Sequence, residues 1–230
     1  KAKYKFGSEK SNIQSFETPE QIKNYILEKA SEITKVTEQE FNPETEQLED
    51  VEYYVTSTGK KQRVTSVLKE SSKWLYENID RSEVAEAIRE AKMQKGTDVH
   101  KTIEDIVNRF VDPITNKLRI TPLDAPDNIL VTKNIYSILE QHVKERLASY
   151  PVDTLFLTEV PVVNEEAGIA GTVDFIAILP NMQVDILDWK TTNILYKKDG
   201  VVKKRLDISP FNQKYWREQL QMYKNALISY

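Results

Sequence analysis

The 230-residue chain is long enough to bury a full hydrophobic core, and its 40% hydrophobic and 30% charged residues are those of a globular protein. It contains no cysteine, which excludes disulfides, thiolate zinc sites, iron–sulfur clusters and thiol nucleophiles together, and fits an intracellular location. A net charge of −4 excludes the coating of nucleic acid through bulk positive charge, but residues 51–230 balance 25 basic against 25 acidic groups and leave room for a local basic channel.

Residues 1–50 carry the imbalance, 7 lysines against 11 acidic residues, and read as an acidic N-terminal arm with one helix. Thr18 as N-cap, Pro19 at the first helical position and Gln21 make a capping box. Ile22, Ile26, Leu27 and Ile33 give that helix a modest apolar face. The stretch 42–50, with Pro43 and four acidic residues, predicts a linker. The arm is then either a solvated segment or one through which a protein partner docks.

From residue 51 the pattern changes. Strands are expected over 51–56 and 62–67, joined through Thr58-Gly59-Lys60, then a helical region over 71–110 interrupted near Gly96. Pro113, Pro122 and Pro126 mark a loop before a helix over 128–149. Three strands follow, 154–163, 169–179 and 184–192, divided by turn residues at 164–168 and by Pro180-Asn181. A charged loop over 197–210 and a helix over 212–230 close the chain. Helices, a strand meander and a final helix predict a mixed α/β core over 51–230. No apolar stretch approaches the ~20 residues needed to cross a bilayer, and no secretory signal opens the chain.

The segment Asp185-Ile186-Leu187-Asp188-Trp189-Lys190 carries the first chemical signal. Strand alternation sends Asp188 and Lys190 to one face with Val184 and Ile186. A carboxylate and an ammonium at the end of an apolar strand are either a surface ion pair or a site, because burying them unpaired is costly. The preceding strand holds Asp174 in Gly171-Thr172-Val173-Asp174, expected on the face of Ile176 and Ile178. If the two strands are neighbours, Asp174 and Asp188 converge. Two carboxylates ~4 Å apart repel by roughly 4 kcal/mol at an effective dielectric of 20, and a divalent cation would reverse the sign. Hard oxygen donors suit Mg²⁺ or Mn²⁺.

On the helix resuming after Gly96, Val99, Ile103, Ile106, Val107 and Phe110 form an apolar stripe, with His100 and Glu104 stacked on its edge. The pair is either structural or aimed into a cleft. On the last helix Trp216, Leu220, Tyr223, Leu227 and Tyr230 share a face, and Gln219 among them needs a hydrogen-bond partner, in the core or in a site. His142 has no carboxylate neighbours at ligating spacing and reads as structural.

Taken in order, these segments resemble the RecB-like branch of the PD-(D/E)XK nuclease superfamily, including the phage and mitochondrial genome-maintenance exonucleases. Gly96-Thr97-Asp98-Val99-His100 with Glu104 resembles its helix motif. Gly171-Thr172-Val173-Asp174 resembles its Gly-x-x-Asp strand, Asp188-Trp189-Lys190 its Asp-x-Lys strand, and Gln219 with Tyr223 its Gln-x-x-x-Tyr helix. Arg63-Val64-Thr65-Ser66-Val67-Leu68 is similar to an upstream segment of the exonucleases. Some relatives carry a four-cysteine iron–sulfur cluster, which this chain cannot hold, and no phosphate-binding Gly-x-x-x-x-Gly-Lys loop indicates a nucleotide cofactor.

The resemblance implies a restriction-endonuclease-like core, with a mixed central sheet flanked by helices, that hydrolyses phosphodiesters of DNA. Asp174, Asp188, His100 and the backbone carbonyl of Trp189 would ligate Mg²⁺ or Mn²⁺. Lys190 would orient or deprotonate the attacking water, and Glu104 would hold His100 or a water. Glu159 either joins the acidic cluster or is a strand-edge charge. A hairpin carrying Lys197, Lys198, Lys203, Lys204 and Arg205 either presents a basic rim to the substrate, with Gln219 and Tyr223 also binding it, or is a solvated charged hairpin. Tyr215 and Trp216 either stack on bases or pack in the core. An exonuclease acting on DNA ends or single strands is the leading expectation. A structure-specific endonuclease and a catalytically silent DNA-binding or assembly module are the alternatives.

Overall fold

A computed structural model of the chain describes residues 16–42, 46–71, 83–190, 195–198, 201–204 and 210–228. Helix α1 (Pro19–Ser31) begins as its capping box requires. The Gln21 N–H donates to the Thr18 hydroxyl, and the Gln21 side chain accepts from the Thr18 N–H at 3.2 Å. Strands β1 (Thr34–Asn42) and β2 (Gln47–Thr56) then pair antiparallel along their whole length, and β3 (Gly59–Arg63) pairs with the end of β2. Gly59, at φ +114°, makes the tight return between β2 and β3, a conformation that L side chains rarely adopt.

The expected acidic arm is therefore not set apart from the rest among the described residues. Residues 47–50 of the expected linker belong to β2, and Ile22 and Ile26 are buried in the same cluster as the central strands. Charge on exposed strand positions made this ribbon look like a solvated segment, while a few apolar residues per element suffice to anchor it. The part of the arm before residue 16 lies outside the described residues.

Two further expectations change. Residues 64–67 are not strand but the start of α2 (Val64–Ser71), because Val64 and Leu68, four apart, both bury beneath the sheet. Helix α3 (Glu83–Phe110) runs through Gly96 without interruption. A single glycine costs a helix only about 1 kcal/mol, and the buried stripe Val99, Ile103, Ile106 and Val107 compensates it. Helix α4 (Lys133–Ala148) follows, capped by Thr132.

The centre is β4 (Leu155–Asn164), β5 (Ile169–Ile178) and β6 (Val184–Leu187), followed by a hairpin of β7 (Leu195–Lys198) and β8 (Val201–Lys204) and by helix α5 (Pro210–Ile228). The result is an α/β fold with a mixed six-stranded sheet, order β1-β2-β3-β5-β4 with β6 also on β5, and helices on both faces. Helices α1, α2 and α5 cover one face through Ile22, Leu68, Tyr223 and Leu227; α3 and α4 cover the other through Ile106, Val107, Val143 and Leu147. No helix among the described residues is long and apolar enough to cross a membrane.

One edge of β5 is split. β4 pairs with β5 from residue 169 to 178, but on the opposite edge β3 pairs only with Ile169 and Ala170, in parallel, and β6 only from Phe175 to Ile178. Residues 171–174 face the gap between β3 and β6.

Candidate active site

The face alternation of both central strands slips at this gap. Leu157 and Val160 of β4 lie in the same core cluster three positions apart, and so do Val173 and Ile176 of β5, where regular alternation would allow two or four. Glu159 marks the slip with φ +51°, a left-handed conformation that is strained for a residue with a side chain. Both strands slip together, so their register is kept on either side. Asp174 therefore does not share a face with Ile176 and Ile178 as alternation predicts. It turns towards α3, with Oδ2 3.6 Å from His100 Nδ1.

After β6 the chain leaves the sheet, earlier than the expected end near residue 192, with 191 and 192 outside the described residues. Trp189 packs its ring against Phe175 and edge-on to His142. His142 is exposed and meets the site only through this edge contact with Trp189. With the indole anchored on the α3–α4 side, the backbone N–H of Trp189 donates to Asp174 Oδ2 at 2.7 Å. Asp188 and Lys190, on either side, turn the other way and form an ion pair through Asp188 Oδ2. Asp188 Oδ1 accepts from Gln219 Nε2 at 3.3 Å, and the same nitrogen lies 3.0 Å from the Tyr223 hydroxyl. Gln219 is buried, and its Oε1 has no partner among the described residues. Helix α5 is thus tied to the segment after β6 by a specific polar contact.

Gly171 makes that docking possible. A Cβ built there would come within 2.5 Å of Tyr223 Cε1, so glycine lets the ring approach the strand this closely. Thr172, next along, meets the Tyr54 hydroxyl at 2.8 Å. The cleft so formed has a volume of about 270 Å³, and its walls include His100, Glu159, Asp174, Asp188, Lys190, Gln219 and Tyr223.

Its electrostatics are those of crowded, poorly hydrated carboxylates. Burial, then the neighbouring Asp188, push Asp174 up to about 7, opposed by the Trp189 N–H. Burial and Glu104 raise Glu159, while burial and the Lys190 ammonium lower His100, favouring neutral imidazole. Burial raises the Tyr223 hydroxyl. The side chain of Asp188 is only 5% exposed and that of Asp174 13%.

This donor chemistry fits a hard divalent cation. Two buried carboxylates that repel one another, with a neutral imidazole beside them, gain from a positive charge placed among them. The cage is not closed: among the described residues no group of three or more His, Cys, Asp or Glu is arranged to hold a metal ion. Asp174 Oδ2 is instead engaged by the Trp189 N–H and Asp188 Oδ2 by Lys190.

Other expected site residues fall elsewhere. Glu104 does not bond His100; it pairs with Lys101 at 3.1 Å and acts on the cleft through its repulsion of Glu159. Lys197, Lys198, Lys203 and Lys204 lie on the β7–β8 hairpin, as expected of that charged segment, and Arg205 is outside the described residues. Tyr215 packs against the core, its hydroxyl 3.4 Å from the Thr65 carbonyl. Lys35 and Tyr54 also line the cleft, and sequence reasoning missed both because they sit in or beside the supposed arm. The signal was available in Lys35 and Tyr54 as cross-strand partners, but only once β1 and β2 are recognised as a hairpin. No family model, curated protein or solved structure matches the chain.

Proposed function

We propose that the chain is a metal-dependent deoxyribonuclease with a restriction-endonuclease-like core, acting on DNA ends or single strands. The observation that carries this reading is the convergence of Asp174 from β5, Asp188 and Lys190 from the segment after β6, and His100 from α3 on one cleft at a split sheet edge. Their order in the sequence is that of the nuclease motifs they resemble.

In this reading Asp174 and Asp188 hold Mg²⁺ or Mn²⁺, with His100 and the Trp189 carbonyl as further donors. When bound, the cation lowers the pKa of the attacking water and offsets charge developing on the phosphate. The chain's own groups do the rest. The Trp189 N–H fixes the rotamer of Asp174, and Gln219 fixes that of Asp188. Lys190, a cation beside Asp188, orients the water and stabilises negative charge on the phosphate oxygens. Neutral His100 keeps a lone pair for donation, a state favoured by burial and by Lys190. Glu159 adds negative charge beside Asp174 from the facing strand.

The test is cleavage of end-labelled linear and circular single-stranded DNA with Mg²⁺, Mn²⁺ or EDTA, beside Lys190→Ala. The expected result is metal-dependent cutting of the linear strand, reduced at least 100-fold in the variant, on the scale of positioned acid–base groups (~10²–10⁴). Sparing of the circle identifies an exonuclease and its cutting an endonuclease. A folded protein that cuts neither with either metal refutes the nuclease reading in favour of a silent binding module.

A further inference from the structure

One wall of the cleft carries a charge arrangement that the hydrolytic groups do not use. Lys35 lies near the start of β1, Glu52 on β2, and Arg63 at the end of β3. Glu52 takes both cations: Lys35 Nζ is 2.8 Å from Oε1, and Arg63 Nη1 bonds Oε2. The Lys35 hydrogen bond and the Arg63 charge hold Glu52 below the ordinary carboxylate range, so it stays ionised. Two cations on one carboxylate leave the trio net positive.

Lys35 and Arg63 line the same cleft as Asp174, Asp188 and Lys190. They are half or one-third exposed, so solvent and solutes reach them. Val64 and Thr65, the first turn of α2, line the cleft beside them, and the positive end of that helix adds to their field. Lys35 is also near enough to Glu159 to favour its charged form, which ties this wall electrostatically to the acidic one.

Long cationic side chains at a surface usually sample many rotamers, and a binding site must freeze them at an entropic cost. Here Glu52 has already done so. Asp174, Asp188 and Glu159, which line the same cleft, would repel an incoming polyanion. A phosphodiester chain can enter only along a wall that attracts it, and among the cleft-lining residues Lys35 and Arg63 supply that wall.

We infer that Lys35 and Arg63, tethered by Glu52, form a subsite that grips a backbone phosphate of single-stranded nucleic acid next to the bond to be cut. This inference rests on the nuclease reading for its mention of a cut bond, but binding itself is independent of cleavage. Arg63 offers a planar, multi-donor head and Lys35 a point charge, a combination suited to the non-bridging oxygens of one phosphate. Glu52 acts as a positioning residue.

The experiment measures binding of a short fluorescent single-stranded oligodeoxynucleotide by anisotropy, in EDTA, over a series of NaCl concentrations. It compares the full chain with Lys35→Gln, Lys35→Gln/Arg63→Gln and the charge-preserving Lys35→Arg/Arg63→Lys, while wild-type cleavage with Mg²⁺ is followed in parallel. Releasing one phosphate contact should make the slope of log K against log salt shallower by about 0.7 in the double glutamine variant. The charge-preserving variant should keep the wild-type slope. A purely structural role for the trio would alter melting but not slope. An unchanged slope in the double glutamine variant, or in Lys35→Gln alone if the double variant does not fold, overturns the subsite whether or not the wild type cuts. Failure of the wild type to bind the oligonucleotide overturns it as well. A shallower slope in the double glutamine variant, beside a wild type that never cuts, would uphold the subsite and refute the nuclease.

Discussion

Asp174 Oδ2 receives the backbone N–H of Trp189 at 2.7 Å, and this one bond ties the central strand to the chain segment that carries Asp188 and Lys190. It also compensates only part of the charge at Asp174, since burial and Asp188 still drive that carboxyl up to about 7. The site is therefore held together by a group that would rather be neutral when no cation is present.

A pH dependence follows. Between 3.8 and about 7 the folded protein retains a proton on Asp174 that the unfolded chain has released. Folding is thus favoured in full below the unfolded value and loses stability as pH rises towards 7, by on the order of 1 kcal/mol per pH unit. Melting of the wild type in EDTA should fall relative to Asp174→Asn across that window and level off above it. Adding Mg²⁺ or Mn²⁺ at pH 8 should recover stability in the wild type but not in Asp174→Asn. Parallel melting curves for the two proteins would contradict the raised value.

Gln219 tests how far the outer contacts matter. Its amide holds Asp188 and meets Tyr223, while its own Oε1 is buried without a partner among the described residues. Gln219→Leu removes an orphaned acceptor along with a useful donor, so stability should change by less than about 1 kcal/mol. Cleavage or cation affinity should nevertheless drop about 10- to 100-fold, as for other residues that orient ligands. Steady-state kinetics and cation titration measure this, and unaltered turnover would remove Gln219 from the site.

At Gly171 the sign is set by space. Gly171→Ala puts a methyl 2.5 Å from Tyr223 Cε1, forcing the ring and with it α5 to shift. Overpacking of this kind costs roughly 1–3 kcal/mol in denaturant unfolding. In a Tyr223→Ala background the same substitution should cost much less, because the obstructing ring is gone. Equal costs in both backgrounds would mean that the strand, not the ring, rejects the side chain.

Ile26, only 1% exposed, tests whether the N-terminal segment is part of the core. Ile26→Ala should destabilise the protein by about 2–5 kcal/mol in chemical denaturation, as for other buried aliphatic truncations. A dispensable arm would show a change near zero.

The sequence by itself determined the features whose causes are local. The capping box of Thr18 and Gln21, the stripe from Val99 to Val107, and the bracketing of Trp189 by Asp188 and Lys190 on the opposite face all follow from side-chain spacing along one element. Order and motif spacing likewise named His100, Asp174, Asp188, Lys190 and Gln219, which line one cleft. Tertiary structure decided what spacing cannot carry. The positive φ at Glu159 and the matching slip in β5 turned Asp174 towards His100 against strict alternation. The gap at 171–174 exists because β3 and β6 meet the same edge of β5 from different ends. Lys35 and Tyr54 reached the cleft only through the pairing of β1 with β2 and of β2 with β3. Such contacts join residues far apart in the chain, and register between strands is set by the packing of whole faces, which no single element encodes.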